Sequence, residues 1–312
     1  MSIILLVIGL VLLIKCADMF VDGCSNVARA FGIPKLIIGL TIVAFGTSAP
    51  EAAVSVTSSL NGMNDMSLGN VVGSNICNLL LILGCSSLAG TVVARKKIIT
   101  RDFLFAILGS IVLFIFSFGF FAEGNNSGVI DRADGLILLC FMGVYLYALI
   151  SDALKSVSAR DEKEEFKVKD IIFIIVGIVG IVLGGRLVVN SATEIATMLK
   201  VSQNVIALTI VAIGTSLPEL VTSVVASRKQ EDDIAIGNVV GSNIFNIFFV
   251  LGISSAISPI TFGIESFYDI IVMIATGAIV YLFLLKDRKL DYKNGVILLL
   301  IYIGYMAYIL MR

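Results

Sequence analysis

The sequence predicts an all-α polytopic membrane protein: ten transmembrane helices in two inverted-topology repeats of five, with helices 2 and 7 broken. Three observations lead there. Of 312 residues, 58% are apolar and only 14% charged, and the mean hydropathy is +1.04; ordinary soluble domains carry about 25% charged residues. The apolar runs recur at spanning length, about 20 residues, whereas the buried strands of a soluble α/β protein need only ~4–8. Finally, LTIVAFGTSAPE at Leu40 to Glu51 returns as LTIVAIGTSLPE at Leu208 to Glu219, and GNVVGSNICN at Gly69 to Asn78 returns as GNVVGSNIFN at Gly237 to Asn246, both at an offset of 168 residues.

Taken in order, the spans are expected at roughly 2–31, 33–60, 69–89, 102–121, 129–150, 170–199, 201–227, 234–256, 265–285 and 294–311. The opening MSIILLVIGLVLLIK lacks the basic n-region of a secretory signal and reads as a retained first span. Spans 1 and 6, about thirty residues each, exceed the hydrocarbon thickness and are expected to tilt. Residues 1–150 form repeat 1, with its signature segment at 40–84. Residues 170–312 form repeat 2, with its segment at 208–252. The charged stretch 151–169, SDALKSVSARDEKEEFKVK, is a solvated linker too short to be a domain.

Orientation follows from Lys and Arg. With the N-terminus outside, 17 of the 22 basic residues face the cytoplasm, among them Arg29, Lys35, Arg95, Lys155 and Lys229. The excess of Lys and Arg in cytoplasmic loops selects this topology. It places both termini outside the cell membrane and the 151–169 linker in the cytoplasm. The two signature copies then lie five spans apart. Five is odd, so they cross the membrane in opposite directions, and a binding site is expected at the repeat interface near the midplane.

Composition also excludes. There is no histidine, which removes Ser-His and Cys-His hydrolases, HExxH proteases and a histidine proton relay together. No enzyme and no nucleic-acid partner is expected; the net charge of −1 by itself says nothing about nucleic acid. Trp is absent, so interfacial belts fall to Tyr and Phe. The five cysteines sit in apolar segments without metal-type spacing and read as packing residues.

The chemistry is expected at Glu51 and Glu219. A carboxylate at the bilayer centre costs ~2.5–3.5 kcal/mol or more, so it persists when paired, solvated in a cavity or binding something. Each follows a proline (Pro50, Pro218) and, a few residues back, a glycine (Gly46, Gly214), which breaks the helix. A break frees carbonyls, here those of Ala44, Thr47, Ala212 and Thr215, to coordinate a cation. Thr47, Ser48 and Ser55 share a helical face with Glu51, as Thr215, Ser216 and Ser223 do with Glu219. Asn70, Ser74 and Asn78 stack at four-residue intervals, as do Asn238, Ser242 and Asn246. Oxygen donors alone suit hard cations such as Ca²⁺ and Na⁺. For the hydroxyls and amides, interhelical hydrogen bonding is the alternative. Gly69, Gly73, Gly237 and Gly241 read as close-packing positions, and Lys15 with Asp18 as a local ion pair or as snorkelling side chains rather than a transport element.

GTSAPE, GTSLPE and the two GNVVGSN runs resemble the signature repeats of the sodium/calcium exchangers, members of the cation/Ca²⁺ antiporter superfamily. The motif match covers about 45 to 50 residues in each half, and the ten-span plan covers the chain. The resemblance implies alternating access between the helix 1/6 pair and the remaining spans. It implies Na⁺ and Ca²⁺ as transported ions, the lipid bilayer as surroundings, no cofactor, and no obligatory protein partner. Carried over residue by residue, Glu51 and Glu219 would bind Ca²⁺ and share Na⁺. Thr47, Ser48, Thr215, Ser216, Ser74 and Ser242, with the carbonyls of Ala44 and Ala212, would complete the sites, and Asn78 and Asn246 would line the centre. Asn246 replaces the aspartate of the potassium-dependent branch, which implies no K⁺ requirement. The GN runs lack the further glutamate of the proton-coupled branch, and that weakens the alternative of H⁺/Ca²⁺ exchange.

Overall fold

The computed structural model describes residues 2–62, 64–117, 128–158, 167–200, 210 and 212–311. The chain is helical almost throughout. α1 is Ser2–Phe31. α2, Lys35–Thr47, and α3, Ala49–Leu60, form one bent element with a 49° angle between its parts. α4 comprises Asn64–Cys77, a π-helical segment Asn78–Ile82, and Leu83–Ala89. α5 is Ile98–Phe116 and α6 Arg132–Ser158. The second half runs α7 Val168–Met198, α8 Ala212–Thr215, α9 Leu217–Arg228, α10 Asp232–Ile257, α11 Ile264–Asp287 and α12 Tyr292–Met311. Among the described residues, eight helices are long and apolar enough to cross a membrane, or nine with the bent pair.

Burial sorts these helices. Of the most apolar window in α4 and in α10, 78% and 94% is buried, against 17–39% in the other six spanning helices. The two helices that carry the GNVVGSN runs therefore form the centre, and the others surround them. The outer faces expose Ile3, Ile4, Val7 and Val11 of α1, and Leu300 and Ile303 of α12. That pattern inverts the soluble one, as expected where lipid is the solvent. The largest buried cluster joins Leu68, Ile76 and Leu80 of α4 to Val240, Ile247 and Phe248 of α10.

α1 packs along α7 as a separate pair, backed by a second cluster around Leu13, Phe20 and Ile181. Small residues let these two long helices touch. A Cβ added at Gly184 would lie 3.1 Å from the Gly9 carbonyl, and one at Gly9 an equal distance from the Gly184 carbonyl. In a membrane, where burial supplies no driving force between helices, such van der Waals fit is what holds them. Two short antiparallel ladders tie the halves together: β1 (Val92–Val93) pairs with β4 (Lys289–Leu290), and β2 (Gly128–Ile130) with β3 (Ile260–Phe262).

Several expectations are revised. α4 starts at Asn64 and α5 at Ile98, each about four residues earlier than expected. α6 continues through Ser158, so the first part of the expected linker is helical. Residues 118–121 of span 4, residues 159–166 of the linker and residues 208, 209 and 211 of the second signature copy lie outside the described residues. Asp18 does not pair with Lys15; its Oδ1 meets Lys229 Nζ at 2.7 Å. All five cysteines are free thiols; Cys16, Cys24 and Cys77 are buried, but Cys140 is exposed. Gly237 and Gly241 do pack closely, against Gly39 and Leu40. Gly69 and Gly73 meet no described atom within 4 Å, and the residues corresponding to Gly39 and Leu40, 207 and 208, are outside the described set.

A Cβ at Gly241 would stand 2.7 Å from the Ala44 Cβ and 2.8 Å from the Leu40 backbone. Gly241→Val is expected to cost about 1–3 kcal/mol by overpacking. Gly143→Val, where a Cβ meets no described atom within 4 Å, is expected to leave stability unchanged. Thermal unfolding of the two variants in detergent checks the contrast.

Candidate cation site between the two repeats

The site begins with the break. Proline at 50 has no N–H, so the carbonyl four residues earlier loses its helical donor and the helix cannot continue straight. The chain turns at Ser48 (φ −83°, ψ 7°) and restarts at Ala49, which places Glu51 in the first turn of α3. Ser216 (φ −89°, ψ 6°) repeats the turn before α9 and Glu219. A carboxylate in the first turn of a helix is favoured by the unpaired N–H groups there, and the Glu51 carboxylate takes its own backbone N–H. The break divides the expected face: Thr47 lies before the turn, Glu51 and Ser55 after it.

Hydroxyls of one repeat meet the carboxylate of the other. Ser48 Oγ donates to Glu219 Oε1 at 2.7 Å and lies 2.9 Å from Ser242 Oγ. Ser216 Oγ donates to Glu51 Oε1 at 3.3 Å and lies 3.4 Å from Ser74 Oγ. Thr215 is hydrogen-bonded to Glu51, and Thr47 to Glu219. Both carboxylates are 1% exposed. Among the described residues neither meets a Lys or Arg, so ionising both would set two negative charges in the protein interior without a counter-ion. Uncompensated, such a pair is strongly unfavourable.

Eight of the twelve expected site residues (Glu51, Glu219, Thr47, Ser48, Thr215, Ser216, Ser74, Ser242) are thus joined in one buried cluster, and Asn78 and Asn246, also buried, hydrogen-bond across the repeats to Asn243 and Asn75. The Ala44 carbonyl differs from expectation. The turn at Ser48 keeps a helical bond, so this carbonyl is not freed; it accepts the Ser48 N–H at 3.0 Å and lies 3.4 Å from Thr47 Oγ1. At the second break the Ser216 N–H goes to Ile213, at 3.1 Å; Ala212 begins α8.

Four buried oxygens of these residues have no hydrogen-bond partner among the described residues: Glu51 Oε2, Glu219 Oε2, Asn78 Oδ1 and Asn246 Oδ1. Buried acceptors are ordinarily satisfied. Here the unsatisfied ones come from the two pairs of residues the sequence singles out, and all are hard oxygen donors. The residues present fit a hard cation as cargo. Among the described residues no cluster of three or more His, Cys, Asp or Glu suggests a resident metal.

Two features escaped the sequence reading. Asn78 and Asn246 open the π-helical segments Asn78–Ile82 and Asn246–Leu251; such bulges re-aim side chains and recur at functional sites, but no local residue pattern marks them. Asn75 and Asn243 hydrogen-bond across the repeats, and their signal was the second Asn of each GNVVGSN run. Asn70 and Asn238 act as braces. Asn70 Nδ2 donates to the Glu51 carbonyl at 3.2 Å and to Ser55 Oγ at 2.9 Å; Asn238 Nδ2 does the same for Glu219 (3.4 Å) and Ser223 (2.9 Å). Asn238 Oδ1 also accepts from Thr47 Oγ1 at 3.0 Å.

Beside the cluster, Pro50, Ala53 and Val54 of α3, Gly185, Arg186 and Val189 of α7, and Thr215 and Pro218 line a cavity of about 200 Å³. At the other end of α1, Lys229 Nζ bridges Asp18 and Asp22, both at 2.7 Å, and Lys35 meets Glu231 at 2.7 Å, where Ser25 also donates.

A multi-pass helical bundle with two buried carboxyl groups in an oxygen-lined cluster between two repeated segments has the form of a membrane cation transporter. The chain belongs to the sodium/calcium exchanger protein family, whose model matches residues 1–151 and 169–311. It is 31% identical over 339 residues to the sodium/calcium exchanger MaX1 of Methanosarcina acetivorans, covering 97% of each chain. It is 37% identical over 267 residues to the inner membrane protein YrbG of Escherichia coli, covering 82% of this chain and 79% of that one. Its structure is similar to that of the sodium-calcium exchanger NCX_Mj soaked with 2.5 mM Na⁺ and 10 mM Sr²⁺, with a TM-score of 0.82, 31% identity and 98% coverage of each chain.

Asn238→Ala would strip partners from Ser223, Thr47 and the Glu219 carbonyl inside the core. Leaving buried polar groups unmatched costs about 1–3 kcal/mol, and a fall in unfolding midpoint of that size is expected in detergent.

Proposed function

We propose that this protein is a Na⁺/Ca²⁺ antiporter working by alternating access, in which Glu51 and Glu219 hold Ca²⁺ or share Na⁺ at one site between two inverted repeats. The observation that carries the reading is the pair of buried carboxylates with unpartnered oxygens and no basic partner among the described residues. Ca²⁺ neutralises the pair, and so do two Na⁺; a protein that is stable only with its charge compensated exchanges one load for the other. Thr47, Ser48, Thr215, Ser216, Ser74 and Ser242 supply neutral oxygens, with the carbonyls of Ala44 and Ala212, and Asn78 and Asn246 line the centre. Uptake of more than two Na⁺ per Ca²⁺ makes the cycle electrogenic, worth ~2.3 kcal/mol per net charge per 100 mV. Asn rather than Asp at 246 keeps the site at two charges and argues for K⁺-independence.

The ten-helix inverted plan belongs to the same reading. The eight long helices and the bent α2–α3 account for nine spans, and α8 with α9 supplies the inner part of a tenth. Reciprocal bonds between the repeats, Ser48 to Glu219 and Ser216 to Glu51, are what a two-fold relation produces. The ends of the molecule are not equivalent, however. At the offset of 168, Asp18, Asp22 and Lys229 correspond to Arg186, Asn190 and Asn61. The ion pairs that clamp α1 to the core at the basic, cytoplasmic end thus have no counterpart across the membrane, where the cavity beside Thr215 lies. We read this as an outward-facing state, in a cell-membrane protein with both termini outside.

Ca²⁺ uptake into Na⁺-loaded proteoliposomes tests the reaction. Uptake is expected to follow the Na⁺ gradient, to proceed without K⁺, and to vanish in Glu51→Gln and Glu219→Gln. Uptake driven by a pH gradient instead would replace this reading with H⁺/Ca²⁺ exchange. For sidedness, Ala53→Cys in a Cys140→Ser background is expected to react with an impermeant maleimide from outside, and less so once Lys229→Ala releases the clamp. Labelling from the cytoplasmic side alone would overturn the assigned state.

A further inference from the structure

We propose that Asn75 and Asn243 are positioning residues that fix which end of the Asn78 and Asn246 amides faces the cation, an inference that rests on the ion-exchange reading above. An asparagine amide is nearly symmetric in shape but opposite in chemistry at its two ends: Oδ1 accepts, Nδ2 donates. A cation needs the oxygen. Nothing in the side chain of Asn78 or Asn246 itself decides which end is presented.

The decision is made by a relay of hydrogen bonds that starts on the backbone. Asn75 Nδ2 donates to the Asn243 main-chain carbonyl at 3.3 Å, and Asn243 Nδ2 donates to the Asn75 main-chain carbonyl at 3.4 Å. A carbonyl can only accept, so these two contacts set the orientation of Asn75 and Asn243. Their Oδ1 atoms are thereby turned toward the central pair. Asn246 Nδ2 donates to Asn75 Oδ1 at 3.1 Å, and Asn78 Nδ2 donates to Asn243 Oδ1 at 2.8 Å. With their nitrogens engaged, Asn78 and Asn246 are left with Oδ1 free, and those are two of the four unpartnered buried oxygens. Every Nδ2 of the four amides is used, and the two oxygens left over are both on the central residues. All four residues are buried, at 1–3% exposure.

The relay also selects the residue type at the centre. An ionised carboxylate at 78 or 246 would set oxygen against the Oδ1 of Asn243 or Asn75, and neither of those amides can turn without pointing its own oxygen at a carbonyl. Asparagine is the side chain that satisfies the relay while adding no charge to the two glutamates.

Ca²⁺ titration calorimetry on the purified full-length protein, beside Na⁺-driven uptake, tests this. Asn243→Leu keeps similar volume but removes the acceptor, and is expected to weaken Ca²⁺ binding about 10- to 100-fold, the usual effect of losing a partner behind a ligand. Asn243→Ser, whose rotatable hydroxyl has no fixed polarity, is expected to lose affinity in the same direction and serves if the leucine variant misfolds. The decisive comparison uses Asn78→Asp, because a carboxylate presents oxygen whichever way it turns. In that background Asn243→Leu is expected to cost nothing or to improve binding by relieving the oxygen–oxygen contact. An equal loss in both backgrounds, or wild-type affinity in both Asn243→Leu and Asn243→Ser, would overturn the relay while leaving the exchange reading intact. Absence of Ca²⁺ binding and Na⁺-driven uptake in the unaltered protein would overturn both.

Discussion

Two buried, interacting carboxylates without a basic partner among the described residues are the constraint on which the structure turns. Removing one negative charge from water is costly, and placing a second beside it adds repulsion. The fold lowers this cost with the means local structure offers. The carboxylates stand in the first turns of α3 and α9, where unpaired N–H groups carry partial positive charge, and serine hydroxyls reach them from the opposite repeat. None of these is a full charge. The balance is left to something that comes and goes, and the unpartnered oxygens at the cluster are where a cation would be received.

The proline that breaks each signature helix serves this arrangement twice. It ends the helix before the glutamate, so a new N-terminus lies at the carboxylate, and it bends the path so that the serine before it faces the other repeat. Asn70 and Asn238 then tie the restarted helices to α4 and α10 through the carbonyls of Glu51 and Glu219. Those central helices are almost wholly enclosed, while α1 and α7 lie together at the side of the cluster. Such a division, with a braced core and a flanking pair held by close packing and a few ion pairs, suits a molecule in which one part moves against the other.

Repetition and difference play separate parts. The contacts at the centre are reciprocal because the two copies are nearly identical there, and a binding cluster that must serve both sides benefits from equivalence. At the ends the copies have diverged. Lys229 and its aspartates hold one end of α1, whereas the corresponding positions carry Arg186, Asn190 and Asn61, a set without an acidic member.

The sequence by itself determined the composition of the membrane bundle, the duplicated segments and the two glutamates with their hydroxyl neighbours. These are legible because apolar length, a constant repeat offset and a proline beside an intramembrane carboxylate are local signals that soluble folds rarely produce together. Only the tertiary structure decided the rest. Asp18 finds Lys229 rather than Lys15, because pairing across helices depends on how α1 lies against α9. The Ala44 carbonyl stays hydrogen-bonded because the turn at Ser48 opens less than a proline break allows. The π-helical segments at Asn78 and Asn246, and the amide relay through Asn75 and Asn243, depend on the distance between α4 and α10. A hydrogen bond selects its partner by position in space, and residues 168 apart in the chain become neighbours only when the two repeats close on each other.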